Sequence, residues 1–119
     1  MRILALTIGL LFSTTLLSQE VFVTSSVVHI GVKDNETGEV LFGDPVHTTT
    51  EMIFHSEYVI VDGRKCNIYY GNSNSKRTLV DCKWDDGTDS RIMLTNDSEY
   101  NYTISVMSET MIEIYELDL

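Results

Sequence analysis

Beyond residue 19 no stretch sustains apolar residues at i, i+3, i+4 and i+7, the spacing of an amphipathic helix. Instead Tyr100, Tyr102, Ile104 and Val106 alternate with Asn101, Thr103 and Ser105, and Val80, Cys82 and Trp84 alternate with Asp81 and Lys83. Successive side chains of a strand point to opposite faces, so a period of two builds one apolar and one polar face. Turn-forming clusters punctuate the pattern at 34–38, Asp62-Gly63, 71–75, Asp85-Asp86-Gly87, 96–98 and 108–110. Strands are expected at 21–32, 39–43, 51–61, 64–70, 77–84, 90–95, 99–106 and 111–117. The expected fold class is all-β, an antiparallel meander of about seven or eight short strands. One apolar face per strand fits a small barrel and a two-sheet sandwich equally. At 119 residues this is one domain.

The first 18 residues read differently. Arg2 precedes an apolar run and then small, hydroxylated residues, the layout of a secretory signal peptide whose apolar run is too short to span a bilayer. Residues 1–18 are therefore expected to be a signal peptide, and 19–119 a single secreted or periplasmic β-domain. No membrane span is expected after cleavage. The chain's formal net charge is −10, and losing Arg2 takes it to −11. Such a surface repels phosphate, and Arg64-Lys65 and Lys76-Arg77 are pairs rather than a basic patch. Nucleic acid is thereby excluded as a partner class.

Parity extends to the core. Tyr102, Ile104 and Val106 share even numbering with Ile112 and Ile114, Ile92 and Leu94, Val80 and Trp84, Ile68 and Tyr70, and Met52, Phe54, Tyr58 and Ile60. An all-even inner face requires each hairpin to pair even with even. At Asp62-Gly63 this favours a three-residue loop, Val61-Asp62-Gly63, pairing Ile60 with Arg64 and Tyr58 with Cys66. Cys66 and Cys82 then lie inward on adjacent strands. If Ile68 faces Val80, the cysteines oppose each other within disulfide range. An even cysteine count in an exported chain points to a Cys66–Cys82 disulfide.

The remaining chemistry is sparse. Asp81, Asp85, Asp86 and Asp89 crowd carboxylates near Gly87 and are the candidate donors for Ca²⁺, without matching the loop of a helix–loop–helix calcium site. His29, His47 and His55 lack zinc-ligand spacing. There is no nucleophile elbow, phosphate loop or cofactor fingerprint, so neither a catalytic residue nor a cofactor is assigned. Asn35, Asn96 and Asn101 head N-x-[ST] sequons, which accept glycans in a eukaryotic secretory pathway. Tyr58, Tyr70, Trp84, Tyr100 and Tyr102 share the expected inner face, where they either fill the core or line a ligand cleft.

With up to eight short antiparallel strands in simple order behind a signal-like stretch, the layout resembles the calycin-type meander barrels, the lipocalin-like proteins. The G-x-W signature of a lipocalin's first strand is absent, Trp84 being the only tryptophan. The resemblance transfers no residue. Three functions are compatible with this reading: a non-enzymatic binding or protein-interaction domain, a lipocalin-like carrier of a small apolar ligand, and a metal- or carboxylate-dependent hydrolase. The first is preferred, with a protein or small ligand as partner. A filled core favours it; an apolar internal pocket favours the carrier.

Overall fold

The computed structural model describes residues 20–74, 77–96 and 102–118. The expected signal peptide, Tyr100 and Asn101 lie outside them. Among the described residues nine strands follow one another: β1 (Val21–Lys33), β2 (Val40–Phe42), β3 (Val46–Phe54), β4 (Tyr58–Val61), β5 (Arg64–Ser73), β6 (Arg77–Trp84), β7 (Asp89–Asn96), β8 (Tyr102–Met107) and β9 (Met111–Asp118). Each pairs antiparallel with its neighbour in the sheet, and β1 also pairs with β9, so eight strands close into a barrel. β2 is an extra strand, paired with β1 at Gly31, Val32 and Lys33 beyond the end of β3.

Closure depends on the length of β1. Val21–Val28 pair with β3 and Thr24–Val32 with β9, the stagger that a tilted barrel requires. Both ladders slip between Ser25 and Val27. The extra residue of this bulge reverses side-chain parity, so Val21, Val23 and Ser25 are buried below it and Val28 above it. The Ser25 hydroxyl donates to the Val27 carbonyl at 2.9 Å, satisfying a buried polar group at the kink.

An eight-stranded barrel is just wide enough for side chains to fill it. Here Met52, Phe54, Val59, Cys66, Cys82 and Ile104 are fully buried. The Cys66–Cys82 disulfide crosses this core with its Cα atoms 5.5 Å apart. The ladder corrects the expected register: Cys66 pairs with Trp84 and Ile68 with Cys82, so the bridged residues are diagonal neighbours.

Three further expectations are corrected. The stretch 51–61 is two strands, because the chain turns at His55-Ser56-Glu57. The His55 amide donates to the Tyr58 carbonyl at 2.9 Å, and the Glu57 amide to His55 Nδ1 at 3.0 Å. Phe54 then opposes Val59, which turns Val59 and Val61 inward in place of Tyr58 and Ile60. The following loop has two residues, not three. Asp62 and Gly63 have φ of 50° and 80°, the left-handed pair of a type I′ turn, and Val61 pairs with Arg64. Between β8 and β9, Ile104 opposes Tyr115, so Tyr115 is buried while Ile112 and Ile114 lie on the outer face.

Candidate functional site

Strand direction divides the barrel into two ends. The β1–β2 turn and the loops at Asp62-Gly63, 85–88 and 108–110 gather at one end, the mouth. Residue 20, the turn at 55–57 and Asp118 lie at the other. The Lys33 amide donates to the Thr110 carbonyl at 2.9 Å, tying two of the mouth loops together.

A cleft of about 520 Å³ opens at the mouth, with Arg64, Trp84, Ser90, Val106, Met111 and Glu113 among its walls. These residues form the uppermost inward-facing layer, since Val106 pairs with Glu113 and Cys66, next in from Arg64, pairs with Trp84. The Trp84 indole N–H donates to Ser90 Oγ at 2.7 Å, which fixes the ring as a floor. The Arg64 guanidinium lies over that ring, 4.6 Å from its centroid. Tyr115 donates its hydroxyl to Glu113 at 2.9 Å. Burial first, then the Glu113 charge and this hydrogen bond, push the Tyr115 phenol well above the usual tyrosine range.

One wall continues past the core as an apolar lip. Val28 and Ile30 face inward on β1, and Val32 continues that face beyond the barrel. Val32 pairs with Leu41 on one side and Met111 on the other, making a three-strand apolar row. The three are 56%, 70% and 39% exposed respectively. On the opposite face of the same hairpin Phe42 and Val40 close over Gly31, whose missing Cβ leaves room for them.

Sequence reasoning puts Trp84 on the inner face, filling the core or lining a cleft, and misses Arg64, Ser90, Glu113, Tyr115 and the lip. The signal for the lip was a run of apolar residues, Val40-Leu41-Phe42, in a strand too short to need them. Tyr102 packs half-buried against the core. Tyr58 points outward, stacked on His55 at 4.4 Å, with Lys65 Nζ over its ring 4.4 Å from the centroid. Tyr70 is also outward, because the β5–β6 ladder slips between Ile68 and Tyr70.

The four aspartates are dispersed. Asp81 takes two hydrogen bonds from Arg91, at 2.8 and 3.3 Å, on the outer wall. Asp86 accepts from the Thr88 hydroxyl and amide, which hold its carboxyl below the usual range. Asp89 lies 3.7 Å from Lys83, and Asp85 is exposed in the turn. His29 pairs with Glu116 at 2.6 Å, His47 is exposed on β3 and His55 is in the basal turn. Among the described residues no three His, Cys, Asp or Glu side chains gather where they could hold a metal ion. Asn35 and Asn96 are exposed.

Comparison with protein-family models, with curated proteins and with solved structures returned no match.

Proposed function

We propose that this chain is a secreted, non-enzymatic binding module that meets a protein partner with the mouth of its barrel. The observation that carries this reading is that fully buried side chains fill the described core while a cleft opens at the mouth. The interior is occupied by Met52, Phe54, Val59, Ile104 and the disulfide, whereas the cleft sits above them, beside the lip. A carrier of a small apolar ligand encloses its cargo in an apolar cavity, and a filled barrel supports contact at the surface instead. Exposed apolar rows such as Leu41–Val32–Met111 are characteristic of interaction surfaces. Export is supported by the signal-like residues 1–18 and by a disulfide, which persists in oxidising compartments.

Native mass spectrometry of the protein purified from its natural compartment tests this reading. The expected mass is that of a chain lacking its first 18 or so residues, oxidised at both cysteines and free of any stoichiometric small molecule. An apolar molecule retained one-to-one would overturn the reading in favour of the carrier.

A further inference from the structure

The loops around the mouth are acidic. Asp34, Glu36 and Glu39 lie in or beside the β1–β2 turn, and Asp62, Asp85 and Asp86 in the next two loops. Glu109, Glu113 and Asp89 border the cleft itself. Against them stand Lys33 and Arg64, while Lys83 is engaged by Asp89. Arg64 is held over the Trp84 ring. The lip is thus an apolar strip rimmed by negative charge. A neutral apolar partner would cover the strip and leave the acids uncompensated, and an acidic one would be repelled.

We propose that the Leu41–Val32–Met111 lip and the Trp84-floored cleft beneath it seat a basic protein segment that carries apolar residues between its cations. The apolar side chains cover the lip, and the Lys or Arg heads meet Glu36, Glu39 and Glu109 around it. Charge of this kind steers the encounter and sets partner choice, while the covered apolar area holds the complex. The inference rests on the mouth being the interaction face.

Trp84 is the only tryptophan, so its emission reports from the floor of the cleft. The test titrates the full domain with short labelled peptides free of tryptophan: alternating Lys and Leu, alternating Glu and Leu, and alternating Lys and Ser. Binding is read by anisotropy and its place by Trp84 emission. The Lys/Leu peptide is expected to bind saturably and shift Trp84 emission. Its affinity should fall roughly tenfold when low salt is raised to well above physiological strength. The Glu36→Gln, Glu39→Gln, Glu109→Gln triple variant, altered at exposed positions, should lose a similar factor. Leu41→Ser should weaken binding without changing its salt dependence.

Equal binding of the Glu/Leu peptide, or Lys/Ser binding as tight as Lys/Leu, overturns the proposal and leaves the mouth reading standing. Lys/Leu binding that leaves Trp84 emission unchanged overturns it too, by placing the peptide elsewhere. If no peptide binds and a fatty acid shifts Trp84 emission, the mouth reading itself has failed.

Discussion

Cys66 and Cys82 show how one covalent contact acts in a barrel this small. The bridge joins β5 to β6 inside the core at a sequence separation of 16. Closing such a loop stabilises the fold by about 3 kcal/mol on the chain-entropy account. Urea unfolding of the reduced and oxidised protein should differ by about that much, with native signatures retained by the reduced form in buffer. A second residue-scale prediction concerns Tyr115. Its folded phenol titrates above the ordinary value because burial and Glu113 disfavour the phenolate. The sign follows from linkage: the contribution is fully present below the unfolded value of about pH 10 and is lost as pH rises toward the folded one. Tyr115→Phe should therefore flatten the alkaline decline of the unfolding midpoint. A spectrophotometric titration of the parent protein should show one tyrosine ionising only as the barrel unfolds.

At the scale of elements, β2 is attached to the barrel rather than part of its wall. It pairs through three residues of β1, and a Cβ on Gly31 would come within 2.6 Å of Val40 and 2.8 Å of the Phe42 ring. Gly31→Val should push β2 away. Amides of Val40–Phe42 are then expected to lose hydrogen-exchange protection while the melting temperature changes by only a few degrees. Loss of protection throughout β6 and β7 would contradict this division. The strands themselves were legible in the sequence because period-two alternation survives in 77–84 and 90–95. Turn chemistry was legible at 34–38 and 85–87, where Gly38 and Gly87 take positive φ. The turn at His55-Ser56-Glu57 was not, because it contains no Gly, Pro, Asn or Asp and its apolar flanks run on into Tyr58 and Val59. Missing that turn reversed the reading of β4. The two-residue turn at Asp62-Gly63 reverses parity again, so the two reversals cancel and Cys66 and Cys82 face inward as an all-even inner face requires. The mouth was the least legible feature: Arg64 and Trp84 lie far in sequence from Met111 and Glu113, and barrel closure alone brings them to one cleft.

For the whole molecule, the consequence of closure is a buried core inside the barrel and a cleft at its mouth, the end proposed to make contacts. The β1–β9 ladder removes the open edges of a flat meander and turns the inner face of eight strands toward one core. Acidic loops collect at one end around an apolar lip, so the surface has a direction as well as a net charge. The claim that this end is the interaction face is tested most directly by site-specific photo-crosslinking in the natural compartment. A crosslinking residue is placed at Thr110 beside the cleft, and in a second variant at Tyr70 on the exposed outer wall. The account predicts polypeptide adducts from position 110 and none from position 70; adducts from position 70 with none from position 110 would contradict it.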